Sequence, residues 1–479
     1  MTANHKKILL NNSKKQRSSF RDPSGFLFWN NKRLLRQVNI SYKDNYDALM
    51  NSGLYEKLIS EKLLIQHQEM SVKNGLTEEC YKILKPDLIE FISYPYEWCF
   101  SQLKDAALLT LKIQKICLEH GMTLKDASAY NVQFFKGEPI FIDSLSFVVY
   151  EEGSPWIAYK QFCQHFLAPL ALMAYTDIHL SKLLTNHIDG IPLDLSVKLL
   201  PKKCMMNIHV LMHLILHAKA QKKFEDSKDR QSKKVNISLS HLKGIIGSLE
   251  SAVCKLHLKK QETEWGDYYS KTNYSDEAFN AKASVVEKYI DIIKPNYVWD
   301  LGANVGHFSR IASSTGATTI SFDIDPVAVE KNYLHTKENK EANLLPLVLD
   351  LTNPSPAIGW NNEERMSFKD RGLPDTIIAL ALIHHLAISN NVPLSTIADF
   401  FCKLTNNLII EFVPKSDSQV IRLLKTRNDI YDDYNQETFE EVFSKSYDIK
   451  MKEKIAESDR TLYLMTQKKV EVPLSLSNV

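Results

Sequence analysis

The 479-residue chain has almost no surplus of charge: 59 lysines and arginines stand against 57 aspartates and glutamates, a net of +2. So even a balance gives no reason to expect a nucleic acid or an anionic membrane as partner. Paired cysteines are missing as well. The seven present (Cys80, Cys99, Cys117, Cys163, Cys204, Cys254 and Cys402) are odd in number and nowhere form a Cys-x-x-Cys pair. That argues against a disulfide framework or a zinc site and reads as reduced intracellular thiols. No apolar run approaches the roughly eighteen residues of a membrane span, and FLAPLALMAY at 166–175 reads as a buried helix. The N-terminus holds only the apolar run Ile8-Leu9-Leu10 among lysines, which is no secretory signal. Together these absences predict a cytoplasmic protein with no nucleic-acid or membrane partner. They do not bear on oligomeric state.

Apolar residues make up 44% of the chain and charged residues 24%. That is enough for a core in each of two or three units of roughly 150 residues. The sequence divides into a polar, basic tail (1–20), an N-terminal α+β region (21–220), a linker (221–240) and a second domain (241–470). The linker, QKKFEDSKDRQSKKVNISLS, is nearly all polar and has no periodicity. A helix is expected over about 239–259, with Leu242, Ile245, Ile246, Leu249, Val253 and Leu256 on one face behind serine N-caps.

From 262 onward the pattern becomes regular. An amphipathic helix at 275–293 is followed by short apolar strands at 297–301, 319–323, 345–349, 376–382 and 407–412, with helices or loops between them. Such alternation predicts a doubly wound α/β domain with a parallel sheet. The closing runs YDIKMKEKI and RTLYLMTQ, on either side of AESD, predict a terminal antiparallel hairpin and bring the sheet to seven strands.

The first of these strands ends in Asp300-Leu301-Gly302-Ala303-Asn304-Val305-Gly306 and then turns into a helix. Glycines at a strand-to-helix turn let the backbone approach a ligand, and the helix N-terminus supplies unsatisfied N–H groups. A dinucleotide fold favours GxGxxG. The spacing here is DxGxNxG, and asparagine tolerates the positive φ of the middle position. It resembles motif I of class I methyltransferases. Asp323 ends the second strand 21 residues after Gly302, placed to accept both hydroxyls of a ribose. Asp325 is the other choice, but it reads better as the cap of a helix beginning at Pro326. Asp350 ends the third strand, either as a contact for an adenine amine or as a turn aspartate.

The fourth strand, around Ala381 and into Ile383-His384-His385, resembles the motif that ends beside the sulfonium in small-molecule methyltransferases. His384, His385 and Glu411, which lies at the end of the fifth strand, are the candidate general bases; both histidines could equally be structural.

A second spaced set lies in the N-terminal region. Asp126, Asn131 five residues later and Asp143 at a strand end resemble the catalytic loop and metal-binding aspartate of protein- and aminoglycoside-kinase-like folds. In that scheme Asp126 is the base, and Asn131 and Asp143 hold magnesium. The chain departs from the pattern. There is no Gly-rich phosphate loop, Arg36 is the only basic residue to set in the strand-lysine position, and Asp143 is followed by Ser-Leu. Elsewhere, His209, His213 and His217 stand four apart, but with no carboxylate or cysteine beside them they read as a helix stripe and not a metal site. The aromatic string Phe91–Phe100 reads as core or as the wall of a substrate groove.

Three strings, Trp265–Phe279, Ala379–Pro393 and Glu411–Gln419, together with Ile92–Trp98 and the Leu124–Asn131 loop, resemble bacterial class I methyltransferases similar to a host-specific nodulation protein. The resemblance covers nearly the whole chain. It implies methyl transfer from S-adenosylmethionine (SAM) to an unnamed acceptor, a small molecule or glycan. Asp300, Gly302, Asn304, Gly306 and Ala381 would then line the methionine end, Asp323 the ribose and Asp350 the adenine. Two rivals stay open: a phosphotransferase-like protein with a SAM-binding regulatory half, and a SAM-sensing scaffold without activity.

Overall fold

The computed structural model describes residues 13–219, 236–259, 276–425 and 428–468. They form two compact units: Met1–Lys260 with Pro356–Phe368, and Gln261–Ser355 with Lys369–Val479.

The first unit is α+β. An antiparallel sheet runs in the order β1-β2-β3-β5-β4, from β1 (Ser13–Lys15), β2 (Gly25–Asn30), β3 (Arg33–Asn39), β4 (His67–Met70) and β5 (Cys80–Pro86). Strands β2 and β3 are joined by Asn31 and Lys32, both at positive φ (47° and 66°), the two-residue turn whose twist suits a hairpin. One face of the sheet packs Phe26, Phe28, Leu35 and Ile83 together; another cluster joins Val38 and Leu84 to Tyr42, Tyr46 and Leu145. Helix α1 (Lys43–Asn51) and helix α2 (Leu54–Ser60) precede β4. Helix α3 (Phe100–Glu119) is buried on most sides, through Leu103, Ala107, Leu111, Gln114 and Cys117, as suits an interior helix. Two small hairpin-like pairs follow: β6 (Met122–Leu124) with β9 (Phe147–Val149), and β7 (Val132–Phe135) with β8 (Glu138–Phe141).

Three expectations need correction here. Part of the supposed tail, 13–15, is strand β1, paired in register with β2 from Ser13↔Asn30 to Lys15↔Phe28. Residues 1–12 and most of the linker lie outside the described residues, as does the string from Trp265 to Ser275. Helix α4 (Leu239–Lys255), assigned above to the second domain, packs on α3 in the first unit. The reason is visible at its end: Lys104 Nζ, from α3, donates to the carbonyls of Cys254 (3.0 Å) and Leu256 (2.8 Å). The segment 356–368 also belongs to the first unit. Glu364, whose side chain is 1% exposed, pairs with Arg21; Arg365 lies over the Tyr130 ring at 4.2 Å; and Met366 N donates to Tyr94 Oη at 2.8 Å.

The second unit holds α5 (Asp276–Ile293), β10 (Tyr297–Leu301), α6 (His307–Ser314), β11 (Thr318–Asp323), α7 (Pro326–Glu338), β12 (Leu344–Val348), β13 (Thr376–Ala379), α8 (Leu394–Leu404), β14 (Asn407–Phe412), β15 (Tyr447–Lys454) and β16 (Thr461–Gln467). The sheet order is β12-β11-β10-β13-β14-β16-β15, parallel through β14, with β16 antiparallel to both of its neighbours, β14 and β15. The parallel strands are buried almost throughout, as expected of a sheet covered on both faces. This is the class I methyltransferase fold, terminal hairpin included. The strand order reverses between β10 and β13, and ligands of open α/β sheets bind in the crevice at such a point.

Candidate active site

A cavity of ≈ 270 Å³ lies at that reversal, lined from the C-terminal ends of β10, β11, β12 and β13. The turn after β10 shapes one side. Gly302 (φ 82°), Asn304 (φ 52°) and Gly306 (φ 80°) are all left-handed. At Gly306 a Cβ would stand 2.4 Å from Asn332 Oδ1, so glycine is required twice over. The N–H groups of Gly302 and Ala303 both donate to the Phe322 carbonyl at 2.9 Å, which ties the turn to β11.

Asp300 and Asp323 sit at this turn and are both buried. Asp323 Oδ2 accepts from Asn304 N (2.7 Å) and Oδ1 from Asp325 N (2.9 Å). Burial pushes Asp323 up to about 6, against the pull of those N–H groups. Asp300 accepts from the Ser309 hydroxyl, and burial pushes it up to about 7. In both, burial outweighs the hydrogen bonds that favour the charged form. Asp350 lines the far side of the cavity, and its Oδ1 accepts from Thr352 N (2.8 Å) and Oγ1 (2.7 Å), so it is both a turn residue and a wall residue. Asp325 does not line the cavity. It caps α7 by accepting from Val327 N at 2.8 Å.

The fourth strand stops at Ala379, short of the expected 382, because Ala381 turns left-handed (φ 49°). Ala381 lines the cavity and gives its N–H to Glu411 Oε2 at 2.7 Å. That bond corrects the reading of Glu411. The residue is 0% exposed, is absent from the cavity wall, and also accepts from Lys282 Nζ at 2.6 Å, with Arg460 Nη1 3.6 Å from Oε1. It is the centre of a buried charge cluster and cannot act as a base toward an acceptor in the cavity. His384 is 2% exposed, lies behind the wall, and its Nδ1 is buried without a partner, so it too is removed from the bases. His385 does line the cavity, at the start of a π-helical turn, His385–Ser389. Burial, then Arg460, lowers it to about 4, so it is a neutral imidazole at neutral pH.

Lys282 escaped the sequence reading. It lines the cavity from α5 with its side chain 5% exposed, its Nζ 4.9 Å from the Phe308 ring centre. The signal was present: Ala278, Lys282, Val286 and Tyr289 share the buried face of α5, and a lysine within an apolar stripe needs a partner.

The other set, Asp126, Asn131 and Asp143, does come together within the first unit. Asn131 Nδ2 donates to Ser146 Oγ at 3.4 Å, and Ser146 Oγ donates to Asp143. Arg36, on β3, pairs with Asp143, which also accepts from Leu145 N at 3.2 Å. Burial works to raise Asp143, and Arg36 then Ser146 more than offset it, so its carboxyl is held below the usual range. Asp126 is raised by burial. No group of His, Cys, Asp or Glu able to hold a metal occurs among the described residues. The three histidines form a helix stripe: His213 is bonded on both sides, to Tyr159 Oη and Ser248 Oγ, each at 2.8 Å, and the Tyr159 ring lies against both His213 and His217. The aromatic string proves to be core: Phe91, Tyr94, Tyr96, Trp98 and Phe100 are all buried. No helix among the described residues is long and apolar enough to cross a membrane.

No protein-family model matches the chain. Among solved structures, the N-methyltransferase NodS of Bradyrhizobium japonicum WM9 is similar at 13% identity and TM-score 0.31, over 41% of this chain and 99% of that one. Magnesium protoporphyrin IX methyltransferase of Synechocystis PCC 6803, with bound SAM, is similar at 14% and 0.30, over 43% and 90%. WbdD is similar at 16% and 0.28, over 39% of this chain and only 40% of its own. Likenesses so slight carry no argument about activity. The nodulation protein NoeA of Rhizobium meliloti (strain 1021) is another matter: it is 36% identical over 458 residues, 93% of this chain and 94% of NoeA. On a match that runs almost end to end, the chain belongs to the NoeA family.

Proposed function

We propose that the chain is a SAM-dependent methyltransferase whose cofactor occupies the cavity of the second unit. The observation that carries this reading is the convergence of Asp300, Asp323 and Asp350, from the ends of three neighbouring strands, with the left-handed turn Gly302–Gly306 in one cavity. SAM supplies a methyl group already activated on a sulfonium, so the protein has to hold, align and exclude water. The turn lets the backbone close on the cofactor's amino-acid end beside Asp300. Asp323 accepts from Asn304 N through Oδ2 and from Asp325 N through Oδ1, and its remaining lone-pair positions would accept the ribose hydroxyls. Asp350 would take the adenine amine. His385, neutral before the reaction, places no positive charge beside the sulfonium in the bound state; it would become imidazolium on accepting the proton that an acceptor hydroxyl or amine releases, as the sulfonium charge is lost with the methyl group. The acceptor we favour is a small molecule or glycan, met in the cytoplasm. The unpaired cysteines support that compartment.

The phosphotransferase alternative is not favoured, since Asp143 is already paired with Arg36, Leu145 N and Ser146. A test is to incubate the full chain with methyl-labelled SAM and a metabolite extract. Label transferred by the wild type and lost in His385→Ala supports the proposal. Tight SAM binding with no transfer would favour the scaffold instead.

A further inference from the structure

The first unit holds a cluster of polar groups that methyl transfer does not use. Glu363, Glu364 and Arg365 follow one another in the segment 356–368. Both carboxylates are taken by other arginines, Glu363 by Arg17 at 2.8 Å and Glu364 by Arg21. Arg365 has no carboxylate partner among the described residues. Its Nη1 donates to the Glu364 carbonyl at 3.0 Å and its guanidinium lies over the Tyr130 ring, but its Nε is buried with no hydrogen-bond partner. Two neighbours share that condition. The Tyr130 hydroxyl and His165 Nδ1 are buried without partners, on residues 9% and 1% exposed whose rings stand edge to face at 6.0 Å. Buried polar groups are nearly always paired, so three orphans around one ring call for a partner from outside the chain.

The surroundings hold these groups in place. The Tyr94 ring packs edge-on to Tyr130 at 6.0 Å, and Tyr94 Oη accepts from Met366 N at 2.8 Å, which fastens the segment that carries Arg365. His165 lies in a π-helical turn, Cys163–Leu167, a form that recurs at functional sites. Gly190, at φ 90°, lets a second loop close on it: a Cβ there would stand 3.0 Å from His165 Cδ2. Burial, then Arg365, lowers His165 to about 3, so the ring is neutral and can offer Nδ1–H. Burial holds the Tyr130 hydroxyl protonated against the pull of Arg365, and Tyr94, Glu97 and Asp189 act through space in the same direction as burial. The cluster therefore offers one positive charge, on a guanidinium, and two neutral donors.

We propose that Arg365, Tyr130 and His165 form a receptor for a singly charged oxyanion, the carboxylate or phosphodiester group of a small organic ligand. The Nε–Nη2 edge of Arg365 takes two of its oxygens, the geometry a guanidinium matches. The Tyr130 hydroxyl and His165 Nδ1–H complete the shell. A single cation favours a monoanion over a phosphate monoester, which carries close to two charges.

The experiment is saturation-transfer NMR on the full chain with acetate and with dimethyl phosphate, both at constant ionic strength. Saturable binding of one or both is expected, and the tighter of the two identifies the group. Arg365→Met should weaken it about ten- to a hundred-fold, Arg365→Lys less, and Tyr130→Phe, which keeps the ring, about three- to tenfold. Adding S-adenosylhomocysteine should leave the binding unchanged; its loss would place the anion in the second unit and overturn the proposal. No saturable binding of either anion by the wild type, or unchanged affinity in a folded Arg365→Met, would overturn it too and leave the three groups to bound water. If Arg365→Met does not fold, Tyr130→Phe decides, and unchanged affinity there overturns the proposal.

Discussion

Replacing Glu411 by alanine tests whether that residue is a scaffold or a base. The side chain is fully buried and answers Lys282 at 2.6 Å, the Ala381 N–H at 2.7 Å and Arg460 at 3.6 Å. Breaking a buried ion pair from one side strands the other charge, at a cost of roughly 3–5 kcal/mol. Leaving a buried N–H without an acceptor adds about 1–3 kcal/mol, part of which water entering the vacated space would recover. A working figure of about 4 kcal/mol corresponds, at roughly 2–4 °C per kcal/mol for a unit of this size, to a fall in Tm of about 8–16 °C. Glu411→Gln keeps an acceptor for Ala381 but loses the charge, so it should fall between the two. The assay is thermal unfolding followed by circular dichroism, with labelled methyl transfer measured below the transition. An alanine variant as stable as wild type that had lost turnover, with an altered pH–rate profile, would return Glu411 to the chemistry.

His385→Ala should lower methyl transfer by about 10²–10⁴-fold, the range for a general base, while S-adenosylhomocysteine affinity stays within about threefold; equal loss of binding would contradict its role. Asp300 and Asp323 ionise near 7 and 6 without ligand, and an ammonium or ribose hydroxyls favour their charged forms, so cofactor affinity should fall as pH drops from 8 through 7 and 6. Binding should also release protons, seen as a buffer-dependent enthalpy; affinity flat from pH 8 to 5.5 would count against it. Arg36→Met strands Asp143 and should cost the first unit roughly 3 kcal/mol in thermal unfolding, against less than about 1 kcal/mol if the pair is incidental.

The sheet was legible because parallel strands buried on both faces leave short apolar runs between helices. The runs at 297–301 and 407–412 match β10 and β14 to the residue, and the hairpin is where YDIKMKEKI and RTLYLMTQ placed it. The loop Asp300–Gly306 was legible from its glycines, and the Asp325 cap from Pro326. What failed depends on contacts far apart in sequence. Nothing local in 356–368 tells that Glu364 and Arg365 join Arg21 and Tyr130 in the first unit. Glu411 looked like a strand-end base because its partners, Lys282 and Arg460, are 129 and 49 residues away. The end of β13 was misplaced because Ala381 is held left-handed by that same carboxylate, a conformation alanine does not announce. Lys282 was readable in principle, as a charge on an apolar helix stripe.

A SAM site at Asp323 and its neighbours has a direct consequence for binding. Isothermal titration of SAM into the full chain, and into Asp323→Ala, tests it most directly. One site per chain is expected in the wild type, and a loss of at least about a hundred-fold in the variant, which forfeits the N–H bonds from Asn304 and Asp325 together with the ribose contacts. No heat of binding in the wild type, or equal affinity in the variant, would contradict it.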